Sequence, residues 1–252
     1  MSHLYVYQPN TLIAQPSLWQ GIVSVCTMSC RHTPQVISFV GAGGKTTWIY
    51  ALAQEQRAVG KRVLIVTTTH MKRPLHWGVL TGNRMDIARQ LDAEGIAVAG
   101  IPCENGKITY IGDALFQEIT SLADIILIEA DGSKRMPLKV FDIHEPVILP
   151  QTQLILCLAG ISALGKTVAD GCFRWQKGRV PPQTILTPDV FRTIWKEGCL
   201  DSLSHRYTQP MIPVINQCDT IEQMQQAQHI LHQCHVSKGL ITVFNERERE
   251  PR

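Results

Sequence analysis

The chain of 252 residues sets 24 Lys and Arg against 21 Asp and Glu, a formal charge of +3, and is 44% hydrophobic, 18% charged and 6% aromatic. That profile belongs to a folded globular protein of one large or two small domains and excludes a disordered, collagen-like or repeat-built chain. The longest uncharged apolar stretch, Leu154 to Gly165, falls short of the roughly 18 residues of a membrane-spanning helix, and the near-balanced charge argues against nucleic acid as a partner.

The first 34 residues show weak periodicity and read as an N-terminal lead-in with one helix around Pro16 to Val25. They hold no basic segment followed by an apolar one, so the expected location is the cytoplasm. The 8 cysteines form no C-x-x-C pair, which predicts reduced thiols and no zinc site. From residue 35 to 252 the chain reads as one phosphate-loop domain, with Gly171 to Pro182 a plausible loop between two halves.

Apolar runs recur at Val36 to Val40, Val63 to Val66, Ile125 to Ile128, Leu154 to Leu158, Ile212 to Ile215 and Leu240 to Phe244. Such runs predict strands buried on both faces. Thr46 to Val59 and Thr220 to Val236 have helical composition. The fold class expected is α/β, P-loop NTPase-like, with a mostly parallel sheet and helices on both faces.

The first run leads into Gly41-Ala42-Gly43-Gly44-Lys45-Thr46-Thr47 and then into a helix. In that context backbone N–H groups and a helix N-terminus meet phosphates, Lys45 reaches the terminal phosphates, and Thr46 can hold magnesium. The pattern G-x-x-x-x-G-K-[ST] is shortened, because Phe39 stands five before Gly44, and short forms of this kind resemble the loop of Mur ligases. A full match occurs at Gly160-Ile-Ser-Ala-Leu-Gly-Lys-Thr167, but it has no interior glycine and Asp170-Gly171 stops any helix after about one turn, so it reads as a decoy.

Glu129 and Asp131 sit where a buried strand meets a turn, and are the carboxylates expected to order magnesium. The second strand ends in Thr67-Thr68-Thr69-His70, at the sheet edge where α/β proteins bind ligands; threonine is also a common strand former. Lys134, Arg135 and Lys139 could offset phosphate charge or lie on a solvated loop, and His144 and Glu145 could orient a substrate. Asn216-Gln-Cys-Asp219 follows the guanine-reading N-K-x-D pattern with Gln217 in place of Lys; alternatively Asp219 and Glu222 form a capping box. His229, His232 and His235 read as a solvated helix face rather than a metal site, and Glu246 to Glu250 is the one dense charge run.

Together VGAGGKTT, TTTH, IEADGSKRMPLK, HEPVILP, GISALGK and INQCD resemble the YqeC family of selenium-dependent hydroxylase accessory proteins, from about Val40 to Asp219. The resemblance implies a nucleotide-binding accessory role in maturing selenium-dependent molybdenum hydroxylases, with such a hydroxylase or its cofactor as partner. It also accounts for the decoy, since the family carries a segment of that form apart from its phosphate loop. Members tend to have His-Arg-Pro after it, where this chain reads Cys172-Phe-Arg-Trp175 and keeps only Arg174. The residues themselves leave three activities open: Mg-dependent hydrolysis of ATP or GTP or transfer of its phosphate, a nucleotide-dependent switch or carrier with negligible turnover, and a Mur-like ligase or small-molecule kinase.

Overall fold

A computed structural model describes residues 3–9, 11–26 and 35–243. Phe244 and the charge run Glu246 to Glu250 lie outside the described residues.

The strands are β1 His3–Gln8, β2 Thr11–Gln15, β3 Val36–Gly41, β4 Val63–Thr67, β5 His70–Lys72, β6 Gly78–Val79, β7 Ile96–Ala99, β8 Ile101–Cys103, β9 Lys107–Thr109, β10 Ile125–Glu129, β11 Leu138–Lys139, β12 Leu154–Gly160, β13 Cys172–Phe173, β14 Met211–Asn216 and β15 Gly239–Val243. The α-helices are α1 Leu18–Cys26, α2 Lys45–Ala58, α3 Arg84–Glu94, α4 Asp113–Ile119, α5 Val168–Gly171, α6 Pro188–Trp195, α7 Asp201–Arg206 and α8 Ile221–Gln233. Ten strands form one sheet in the order β2-β1-β15-β14-β12-β3-β10-β4-β7-β6. From β15 to β6 all neighbours are parallel, and β1 and β2 add an antiparallel hairpin at the β15 edge. The mixed α/β fold with a mostly parallel sheet is thus as the sequence predicts.

Alternation along the central strands builds two cores. Ile37 and Phe39 of β3 and Leu154, Leu156 and Leu158 of β12 pack with Trp48, Ile49 and Leu52 of α2 on one face. Val36, Val40, Ile155, Cys157 and Ala159 point the other way, onto Phe191 and Trp195 of α6 and Ile230 and Leu231 of α8. Both faces being covered, the strands read as near-continuous apolar runs, broken in β3 by the buried Ser38, which hydrogen-bonds Thr152.

β3 lies between β12 and β10, and the chain skips over β10 when it passes through α2 to β4. The loop after β3 is therefore flanked by the carboxyl ends of β10, carrying Glu129, and β12, carrying Gly160. Strand order alone gathers the candidate residues at this edge. No helix among the described residues is long and apolar enough to cross a membrane.

Candidate functional site

The turn from β3 into α2 depends on glycine at particular positions. Gly43 (φ 78°) presses on β12, where a Cβ would stand 2.2 Å from the Gly160 nitrogen. Gly44 (φ 109°) is the N-cap of α2, and a Cβ there would stand 2.7 Å from Asn216 Nδ2. Gly44 supplies no side-chain cap to α2, and the partial positive charge of a helix N-terminus favours an anion at this position.

Lys45 opens α2 with its ammonium folded back into the loop. Nζ donates to the Gly41 carbonyl at 2.5 Å and lies 3.1 Å from Asp131 Oδ1, both side chains being buried. Thr46 Oγ1 donates to Glu129 Oε2 at 2.8 Å. Burial is the main reason the Glu129 carboxyl is held above its ordinary pKa; Lys45 and the Thr46 hydroxyl oppose the rise, and Asp131 adds to it.

Asp131 is buried, with its hydrogen bonds on Oδ2 and the Lys45 ammonium facing Oδ1, which has no hydrogen-bond partner among the described residues. Its Oδ2 accepts from the Gly41 N–H at 3.0 Å and from Lys139 Nζ at 2.7 Å. Lys139 also donates to the Gly132 carbonyl at 2.7 Å and to Glu145 Oε2 at 2.8 Å, and Glu145 in turn pairs with Arg174. Lys139 therefore does not lie on a solvated loop: its side chain is fully buried between the Asp131 and Glu145 carboxylates. Burial depresses its basicity, but Asp131 and then Glu145 more than offset this, leaving its pKa raised.

Asn216 ties β14 to the loop. Its Nδ2 donates to the Gly43 carbonyl at 2.8 Å, while its Oδ1 accepts from Thr242 Oγ1 at 2.6 Å. Gln217, at φ 67°, accepts the Ser162 hydroxyl at 2.5 Å through Oε1. Asp219 is exposed just beyond. The capping box at the start of α8 consists of Thr220 and Gln223, not Asp219 and Glu222; the helix begins one residue later, and Gln223 also accepts from the Asp219 N–H at 2.7 Å.

Other expected residues have different placements. Thr67 donates to the Glu129 carbonyl and Thr68 to the Val147 carbonyl, so both hydroxyls hold backbone beside the site. Thr69 follows, its carbonyl accepting from Thr109; His70 is exposed in a separate three-stranded sheet, and His144 is exposed in the turn before Glu145. His229, His232 and His235 are exposed. Lys166 of the decoy is exposed, and only the four-residue α5 follows it. The decoy contributes Gly160 instead, the floor on which Gly43 rests. The Lys139 hub, with Glu145 and Arg174, is the part the sequence reading missed; Asp131 followed eight residues later by a lysine among apolar neighbours was its only trace.

Comparison with known proteins places this geometry in context. The family profile described as YqeC protein matches residues 37–176, a span covering the loop, Glu129, Asp131, Lys139, Glu145 and Arg174. A protein of Escherichia coli (strain K12) named Uncharacterized protein YqeC is 37% identical over 175 residues, 66% of this chain and 67% of its own. Among solved structures, the MinC:MinD cell division protein complex of Aquifex aeolicus aligns with a TM-score of 0.44 at 13% identity, covering 82% of this chain and 79% of that one.

Proposed function

The chain belongs to the YqeC protein family, and from that premise and the loop geometry we propose that it binds a purine nucleoside triphosphate with magnesium between Gly41 and Thr47. The observation that carries the reading is the coincidence of left-handed glycines, a helix N-terminus starting at one of them and a buried lysine at the end of a central parallel strand. The hard oxygen donors Thr46 Oγ1 and Glu129 Oε2, held 2.8 Å apart, suit magnesium, which bound there would neutralise phosphate charge. Asp131, held by two ammonium groups and an N–H, positions Lys45 rather than joining that pair. The physiological role that fits the family is accessory work in maturing selenium-dependent molybdenum hydroxylases, by hydrolysis or phosphate transfer. A switch with little turnover is the second reading, favoured by the internal pairing of Lys45, which nucleotide must exchange for phosphate. Thermal shift across ATP, GTP, CTP and their diphosphates tests the binding reading, with turnover then measured on whatever binds.

Glu129 supports a prediction whose two effects have opposite signs. Because its folded-state pKa is raised, ionised Glu129 costs stability at neutral pH, and that cost disappears as pH falls and the carboxyl takes its proton. Glu129→Gln should therefore raise Tm by about 2–4 °C at pH 7–8, with the gain fading towards pH 4–5. The same variant should lose magnesium-dependent turnover or switching and fail to restore selenium-dependent hydroxylase activity in cells lacking the protein. Unchanged magnesium dependence would remove Glu129 from the metal assignment.

The base is tested at Asp219. With the α8 cap assigned to Thr220 and Gln223, Asp219→Asn should leave Tm within about 1 °C, whereas Thr220→Ala costs about 1 kcal/mol. If Asp219 accepts from guanine, Asp219→Asn shifts preference from GTP towards XTP. Equal affinity of the unmutated chain for ATP and GTP rules out guanine reading.

A further inference from the structure

The arc from Asp131 to Pro137 runs beside the phosphate loop, fastened to it through Asp131 and Met136 and to the end of β12 through Pro137. At one end Asp131 takes the Gly41 N–H and faces Lys45. At the other, the Met136 carbonyl accepts the Gly43 N–H at 3.3 Å, and the Pro137 carbonyl accepts the Gly160 N–H at 2.7 Å. Between them Lys134 (φ 48°) and Arg135 (φ 62°) are exposed and consecutive in the left-handed region, which L-residues occupy only at a cost. Lys134 Nζ rests 5.5 Å above the Phe173 ring, a weak anchor at an exposed site.

A phosphate seeking this loop therefore meets donors already in use: the Gly43 N–H on Met136 and the Lys45 ammonium on Asp131. From this geometry we infer that residues 132–137 are a strap that closes the phosphate loop and opens when triphosphate displaces it, with the left-handed pair Lys134-Arg135 setting how readily it opens. The inference rests on the nucleotide reading above and adds its regulation. Strain stored in the closed strap lowers the work of opening it, and relief of that strain should make the loop harder to enter.

Comparing two double variants isolates the strain. Lys134→Ala with Arg135→Ala removes both charges and keeps two Cβ atoms in the left-handed region; Lys134→Gly with Arg135→Gly removes the same charges and the strain. Fluorescently labelled ATP and GTP with magnesium, followed by stopped flow and equilibrium titration, should show the glycine pair associating more slowly and binding at least about tenfold more weakly than the alanine pair, with a Tm equal or higher. Hydrogen exchange across residues 132–137 should rise when triphosphate is added to the unmutated chain. An unmutated chain that takes up no triphosphate removes the nucleotide reading and the strap with it. One that binds, while the two pairs bind equally or exchange in 132–137 stays unchanged, removes the strap alone.

Discussion

Lys45→Ala should weaken triphosphate binding about ten- to a hundredfold, while Lys166→Ala leaves the Kd within about twofold. A charge-assisted contact contributes about 1.5–3 kcal/mol, and each 1.4 kcal/mol is a factor of ten. Lys45 is built into the loop, its Nζ on the Gly41 carbonyl and its stem in the first turn of α2. Lys166 stands exposed beyond a 3-10 turn, and the four-residue α5 behind it has too few aligned peptides to present a phosphate site. Loss of Lys45 leaves Asp131 with the Lys139 ammonium and the Gly41 N–H, so its charge remains compensated and the fold should persist. Isothermal titration of both variants, with circular dichroism melts as controls, checks this. Equal losses from both, or a loss from Lys166→Ala alone, would reverse the assignment of the two loops.

The central sheet was legible because strands covered on both faces carry no polar alternation to confuse them: Val36 to Val40, Ile125 to Ile128 and Leu154 to Leu158 each match a strand. β7 was missed because its run, Ile96–Ala99, is half alanine and only four residues long. The hairpin of β1 and β2 was missed for a different reason. Its outer strand is largely exposed, so its composition records pairing with β1 more than burial. The loop, Thr46 with Glu129, and Asn216 as the tie to Gly43 follow from local motifs, since each chemistry demands its residues at a fixed spacing from a strand end. What lies around them does not. Arg174 reaches Glu145, and through it the Lys139–Asp131 pair, where β13 pairs with β11, a contact between segments more than thirty residues apart that no local pattern announces. The cap of α8 fell one residue from its expected place for a simpler cause: Asp219 and Thr220 are both good caps, and only the backbone decides between them.

Lys139→Met should be among the most destabilising single changes in the chain. It removes the ammonium shared by two carboxylates, which also lies 5.2 and 5.6 Å from the ring centroids of Phe141 and Phe173, while conserving much of the apolar stem. Breaking a buried pair on one side costs about 3–5 kcal/mol; Lys45 and Arg174 still face Asp131 and Glu145, so about 3 kcal/mol is expected, or roughly 6–12 °C in Tm at this chain length. Adding Asp131→Asn should return part of that loss, because the carboxylate left uncompensated is then neutral. The pH dependence has a definite sign. A lysine whose folded pKa is raised contributes stability that is complete below the unfolded value of about 10.4 and disappears as pH climbs through the folded value above it. The Tm gap between the unmutated chain and Lys139→Met should accordingly stay level from pH 6 to pH 9 and narrow in more alkaline solution. Melting curves across that range decide the matter: a gap near zero at pH 7, or a double variant no more stable than Lys139→Met, would mean that Lys139 does not hold Asp131 in place, and Lys45 would then lose the carboxylate proposed to position it.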